Sequence, residues 1–293
     1  MFLTDKTESQ MLQRRKMRAD MPEGSENPLN AAVVSRDRST LDMVADAVLH
    51  GQTLMAYQPV MQARPPHQVA FYEGLIRVPD ATGRVIPARE FMPLVENTEL
   101  GRTLDCAALE SGLRTLARFP SLRLSINMSA RSIGYTRWIN VLDRFLKKDK
   151  TLGERLILEI SEISAMTMPE LVTDFMDRMQ DRNVAFALDD FGAGETAIRH
   201  FREFFFDAVK IDGQFVRGIH ANPDNQAVAQ ALIAVARQFD MLIVAESVET
   251  VDDAEFLVSL GVDCLQGYLF GAPSIRPPWL PQNRHQSEQK ASA

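Results

Sequence analysis

AFALDDFGAG, residues 185–194, is the stretch on which the reading of the chain turns. Its apolar start reads as a buried strand. The strand stops at two adjacent carboxylates, Asp189 and Asp190, and a turn with Gly192 and Gly194 follows. Neighbouring side chains on a strand point to opposite faces, so both acids reach one site only where the strand ends or bends. The glycines allow such a bend. Two clustered carboxylates repel, and each is costly to desolvate without a cation or a proton. The same pair would also suit a helix N-cap beside a solvated acid. The residues around it must decide.

Outward from this stretch the pattern repeats. Strands are expected at 122–128, 156–160, 184–190, 206–212, 241–247 and 263–270. Helices fall between them. One covers 136–148, one opens at Pro169 in its first turn, and one follows Asp190. Another opens at Asn222 and Pro223, with Val228, Leu232, Val235, Ala236 and Phe239 expected inward. Thr250 and Asp253 cap a last helix that ends at Gly261. Upstream, strands 54–60 and 69–78 flank Pro65 and Pro66 closely enough for an antiparallel hairpin. Residues 88–118 read as two helical segments with a break around Gly101. Strands alternating with helices indicate a parallel sheet. About eight of them in some 230 residues fit an α/β fold of the (β/α)8 TIM-like barrel type, with the early hairpin as its antiparallel part. An open doubly wound sheet is the alternative, but no glycine-rich dinucleotide fingerprint accompanies it.

Ser39 and Asp42 have the spacing of a capping box, and the first firm helix is expected there. This divides the chain into a polar N-terminal tail (1–38), a barrel (39–275) and a polar C-terminal tail (276–293). The basic cluster Arg14, Arg15, Lys16 and Arg18 reads as part of a solvated tail.

Each apolar strand stops at a functional group. The hairpin carries Glu73 and Arg77. Then come Asn127, Glu159 with Glu162, Asp189 with Asp190, Lys210 with Asp212, Glu246 with Glu249, and Gln266. Barrel active sites form at the C-terminal mouth from several strand ends. Carboxylates and amide oxygens without His or Cys suit hard cations such as Mg²⁺ or Mn²⁺. His50, His67, His200, His220 and His285 all lie away from strand ends, which argues against zinc. Adjacent Asp189 and Asp190 suit a two-ion site, a device used in phosphodiester hydrolysis. Lys210 reads either as a group that orients water or as a counter-ion to the acids.

Composition limits the alternatives. A net charge of −7 argues against general nucleic-acid binding. Cys106 and Cys264 make no disulfide framework. No run approaches the length of a membrane span, and the first residues lack the order of a signal peptide. A cytoplasmic protein is the expectation.

Eight stretches resemble the EAL-domain cyclic di-GMP phosphodiesterases, in the family's order from about residue 40 to 275. They are YQPV (57–60), YEGLIR (72–77), SINMSAR (125–131), LEISE (158–162), LDDFGAG (188–194), VKIDGQFV (209–216), VAESVET (244–250) and LQGYLFGAP (265–273). The resemblance implies a TIM-like barrel with an early antiparallel strand, hydrolysing cyclic di-GMP to pGpG with Mg²⁺ or Mn²⁺. It implies metal binding by Glu73, Asn127, Glu159, Asp189 and Asp190, and action on the water by Lys210, Glu246 and Gln266. Gln58 and Arg77 would contact substrate, and Glu162 would steady the loop after the paired aspartates. It also implies a homodimer near that loop, with Phe204, Phe205 and Phe206 close by. The chain departs from the family at Gly74, where alanine is usual and the swap reads as tolerable. It departs again at Val78-Pro79-Asp80, at 193–197, where Glu195 adds an acid, and at Ser247, where glycine is usual. A non-hydrolysing EAL domain acting as receptor or interaction module is the competing reading, and a barrel acting on another phosphodiester is a third.

Overall fold

The computed structural model describes residues 28–194 and 198–280. The basic cluster at Arg14–Arg18, Glu195 and the tail beyond Leu280 lie outside them. The strands are β1 (Leu54–Gln62), β2 (Val69–Pro79), β3 (Val85–Pro87), β4 (Leu124–Asn127), β5 (Leu156–Ser161), β6 (Ala185–Phe191), β7 (Ala208–Ile211), β8 (Leu242–Ala245) and β9 (Cys264–Gln266). They pair in the order β1-β9-β8-β7-β6-β5-β4-β2-β3, and β1 also pairs with β2. The extra pairing closes an eight-strand barrel and leaves β3 outside on β2. β1 is antiparallel to both β2 and β9, and the other neighbours in the ring are parallel. The expected barrel with an early antiparallel strand is what forms.

The helices are α1 (Pro28–Leu49), α2 (Met92–Val95), α3 (Glu99–Arg118), α4 (Thr136–Leu146), α5 (Glu162–Thr167), α6 (Pro169–Gln180), α7 (Gly213–Val216), α8 (Pro223–Gln238) and α9 (Val251–Leu260). The main core lies between the outer strand faces and these helices. Inside the barrel the strands' period of two writes the layers. Val60, Phe71, Val244 and Cys264 form one apolar cluster, with Ile157 packed against it. Two positions along each of those strands, toward the mouth, stand Gln58, Glu73, Glu246, Gln266 and Glu159. The same step leads from Ser125 to Asn127, Ala187 to Asp189 and Ala208 to Lys210. One alternation in each of eight strands thus sets a polar layer above one that is apolar but for Ser125.

Several elements differ from the sequence reading. The first helix starts at Pro28, not Ser39, so Ser39 and Asp42 sit inside it and do not cap it. Its buried residues are Val44 and Ala47, which meet Val78, Ile86, Phe91, Val95 and Leu104. Gly101 does not break a helix. It lies within α3, where a Cβ would come 2.5 Å from the Val95 carbonyl oxygen, and the break falls at 96–98. Among the described residues, only the short 3-10 turn Ile198–Arg202 follows β6 before β7. α8 turns Ala229, Ile233 and Ala236 inward, and Val228 is exposed. Residues 276–280 belong to the folded unit: Trp279 packs edge-on against Tyr72 at 4.3 Å and Tyr57 at 5.2 Å. No helix among the described residues is long and apolar enough to cross a membrane.

Candidate active site

The polar layer converges on Lys210. Its Nζ lies 2.6 Å from Glu246 Oε1, 3.0 Å from Glu159 Oε2, 3.1 Å from Asp189 Oδ1 and 3.2 Å from Glu73 Oε2. The side chain is 1% exposed. Glu73 is the second hub. Asn127 Nδ2 donates to its Oε1 at 2.8 Å, and Gln266 Nε2 donates to its Oε2 at 2.6 Å. Gln266 Nε2 also reaches Gln58 Oε1 at 3.3 Å.

Asp189 and Asp190 reach the site together because the strand bends at Asp190 itself. Asp190 has φ 55, and the β6–β7 register shifts between Leu188 and Phe191. The glycines thus supply less of the bend than the sequence suggested, since Asp is among the residues that tolerate left-handed backbone. Carboxylate oxygens of Asp189, Asp190 and Glu246 all lie within 4.8 Å of one another. Glu162, buried at the start of α5, accepts through Oε2 from the backbone N–H of Gly192 at 3.1 Å and of Gly194 at 3.0 Å. It ties down the described part of the loop after the paired aspartates.

One ammonium among this many acids leaves charge uncompensated. Burial, then repulsion from Glu73, pushes Glu159 well above the usual carboxylate range against the pull of Lys210. Burial does the same to Glu246, with Lys210 opposing it and Asp189 and Glu73 adding to it. Asp190 rises to about 6 through burial, Asp189 and Asp212. Glu73 goes the other way: burial raises it, but Lys210 and the amides of Gln266 and Asn127 together hold it low. Burial works against the charge on Lys210, yet Asp189, Glu159, Glu246 and Glu73 raise its pKa well above the ordinary value.

The donor set fits hard cations. Glu159 Oε1 and Gln266 Oε1 are buried acceptors without a hydrogen-bond partner among the described residues. Buried oxygens of this kind are normally satisfied. With the Asp189, Asp190 and Glu246 oxygens they form an all-oxygen set of the type that holds Mg²⁺ or Mn²⁺.

Above the layer opens a cleft of about 810 Å³, with Glu73, Asp189, Glu246 and Gln266 at its floor and Arg77, Arg89, Arg217 and Tyr268 on its walls. Arg77 stands four positions beyond Glu73 on β2. Burial lowers its pKa and Glu73 partly offsets that, so it is a half-buried cation facing the cleft. Two acids grouped with the strand ends are engaged outside the cluster around Lys210, Glu249 at the rim of the cleft. Asp212 caps α7, its Oδ1 accepting from the Gln214 N–H, and Glu249 pairs with Arg217 at 3.5 Å. Gly74, read as a tolerable swap, is tight in this chain: a Cβ there would lie 2.9 Å from Ile126 Cδ1 and 3.1 Å from Met55 Sδ.

The model of the EAL domain family matches residues 41–273. This chain is an EAL domain. Cyclic di-GMP phosphodiesterase PdeF of Escherichia coli (strain K12) is 28% identical over 237 residues, which are 80% of this chain and 31% of that protein. Cyclic di-GMP phosphodiesterase PA2567 of Pseudomonas aeruginosa is 30% identical over 225 residues, 75% of this chain and 38% of that protein. The chain therefore spans about a third of the length of these curated relatives. Among solved structures, the PaMucR phosphodiesterase in complex with c-di-GMP superposes with a TM-score of 0.70 at 27% identity, covering 80% of this chain and 97% of that one.

Three groups tied to the site were missed in the sequence. Arg89 lies in the short 3-10 turn Ala88–Glu90 and Arg217 directly after α7, and no periodicity encodes either placement. Asp105 carried a signal, because it interrupts the apolar stripe Leu104, Ala108, Leu109 and Gly112 of α3. Its Oδ2 accepts from Ser132 Oγ at 2.6 Å and from the Ser129 N–H at 3.1 Å, fixing the turn that follows Asn127.

Proposed function

We propose that this EAL domain hydrolyses cyclic di-GMP, opening one phosphodiester to give pGpG with Mg²⁺ or Mn²⁺ bound. The observation that carries the reading is the ring of eight inward groups, one from each barrel strand, with a lysine among its acids beneath an arginine-walled cleft. The names of PdeF and PA2567 and the ligand of PaMucR support the same substrate. In this reading Glu73, Asn127, Glu159, Asp189 and Asp190 hold two ions, which neutralise the phosphoryl charge and acidify water when bound. Lys210 Nζ and Glu246 orient the attacking water, and the Gln266 carbonyl completes its shell. Gln58 and Arg77 bind the dinucleotide, Arg77 through charge-assisted bonds to phosphate. Glu162 holds the loop behind Asp189 and Asp190. A receptor would need the cleft but not Lys210 together with every acid, so the complete set favours the enzyme.

The test is product formation and equilibrium binding side by side, with Mn²⁺ and after exhaustive chelation. Cleavage to pGpG with Mn²⁺ and its loss on chelation are expected. Tight binding with Mn²⁺ and an intact dinucleotide would show a receptor instead. Calcium is expected to bind without supporting turnover, because it accepts looser geometry and more ligands.

The homodimer belongs to the same proposal. Phe204 and Phe206 are core residues, but Ile163, Ile198 and Phe205 are exposed on segments flanking the loop after Asp190. Ile163→Asp with Ile198→Asp is expected to convert a dimer to a monomer in light scattering. A wild-type monomer at micromolar concentration removes this part of the proposal.

A further inference from the structure

Ser247 follows Glu246 directly and has φ 55, a backbone conformation that favours glycine. Its side chain lies over Gly213. A Cβ at 213 would come 2.6 Å from Ser247 Cβ and closer still to its Oγ. Position 247 thus carries a side chain in this chain because position 213 carries none. The Ser247 Oγ accepts from Arg217 Nη2 at 3.0 Å, and Arg217 Nε lies 3.5 Å from Glu249 Oε1.

The backbone beneath Arg217 is pinned on both sides. Its own N–H donates to the Gly213 carbonyl at 3.0 Å. The next residue, Gly218, donates to Asp253 Oδ2 at 3.2 Å, and the His220 N–H donates to Asp253 Oδ1 at 3.1 Å. Asp253 is buried and also receives the Thr250 hydroxyl at 2.7 Å. A guanidinium has five N–H donors, and Ser247 and Glu249 engage two of its nitrogens. Ser247 brings no charge to neutralise it, and the pair with Glu249 is solvent-exposed and therefore weak. Arg77 stands on β2 and Arg217 just after β7. In the closed ring these strands are four steps apart in either direction, and both arginines line the cleft, Arg217 from beyond α7.

We propose that Arg217, held in place by Ser247 above Gly213, is a specificity-determining residue that binds acceptor oxygens on the half of the cyclic dinucleotide that is not cleaved. The inference rests on the phosphodiesterase reading above. A ring with two phosphates offers acceptors to both walls when one phosphate sits on the carboxylate floor.

The test uses the full chain with Mn²⁺ and cyclic di-GMP, reading KM, kcat and Kd for wild type, Arg217→Ala, Arg217→Lys, Ser247→Gly, Gly213→Ala and the pairs. Arg217→Ala is expected to raise KM and Kd about ten-fold with kcat within about two-fold, as for a lost binding contact. Ser247→Gly is expected to raise them about three-fold, and the double variant to match Arg217→Ala, since the serine acts through the arginine. Gly213→Ala should mimic the loss of Ser247, and adding Ser247→Gly should raise KM and Kd no further, since the serine is already displaced. Arg217→Lys separates the two sources of oxygen: phosphate recognition survives it in large part, whereas paired recognition of a guanine edge does not. Unchanged KM and Kd in Arg217→Ala, or strictly additive effects of Ser247→Gly, overturn the inference and leave the phosphodiesterase reading standing. Wild type that neither binds nor cleaves cyclic di-GMP overturns that reading and the inference with it.

Discussion

Lys210→Ala is expected to lower kcat by about 10³-fold and to make the fold depend on divalent cations. The two effects have one cause. Glu246, Glu159, Asp189 and Glu73 all stand within 3.2 Å of the buried ammonium, Glu73 and Glu159 buried and Asp189 and Glu246 partly so. Removing one partner of a buried ion pair costs about 3–5 kcal/mol, because the remaining charge has neither water nor a partner. In chelator the variant should lose stability on that scale. Protonation of Glu159 and Glu246, which burial already favours, limits the loss. Mn²⁺ should restore the variant more than it stabilises wild type, because the cation then replaces the missing charge. Denaturant unfolding with and without Mn²⁺ reads this directly, and equal stability of variant and wild type in chelator would mean that the acids are already neutral. Binding of cyclic di-GMP with metal present should change far less than kcat, as for a group that acts mainly in the transition state. Glu73→Ala orphans the amide donors of Asn127 and Gln266 as well as one contact of Lys210, so it should destabilise the fold as well as abolish turnover.

Asp105→Asn is expected to stabilise the protein at pH 8 and to change little at pH 4. Burial pushes Asp105 up to about 7, against the bonds from Ser132 and Ser129 and with a small repulsion from Glu96. In the unfolded chain the carboxyl titrates near 4. The fold therefore binds this proton more tightly than the unfolded chain does. The stabilisation is fully present below the unfolded value and is lost as pH rises through the folded one, with most of the fall between about pH 4 and 7. A shift of this size corresponds to about 4 kcal/mol. Asparagine keeps a carbonyl oxygen for Ser132 Oγ and the Ser129 N–H, and it has no charge to desolvate. The stability difference between variant and wild type should therefore widen with pH in denaturant titrations from pH 5 to 8. Parallel curves would show that Asp105 is ionised in the fold at every pH tested.

Legibility in the sequence followed local regularity. Lys210 stood out because a lysine within the apolar run Ala208–Ile211 has no place in a core unless it is paired. The acids at strand ends were legible for the same reason, and strand parity then places them together. The bend was attributed to the glycines because a left-handed aspartate leaves no mark in composition. Residues 30–38 of α1 escape the sequence reading because their side chains are mostly exposed and show no apolar period. Arg217 escapes the sequence reading because its position depends on a turn held by the distant Asp253.

The alternation that sets the polar layer over the apolar one also governs how such a barrel can change length. A substitution alters one member of the ring and leaves seven in place. Inserting or deleting one residue low in a strand turns its functional group outward toward the helices and brings an aliphatic residue into the ring. Copies of this barrel should thus gain and lose residues in the connections, or in strands by twos. A single-residue insertion between Val209 and Lys210 should be more damaging than any replacement of Lys210 itself.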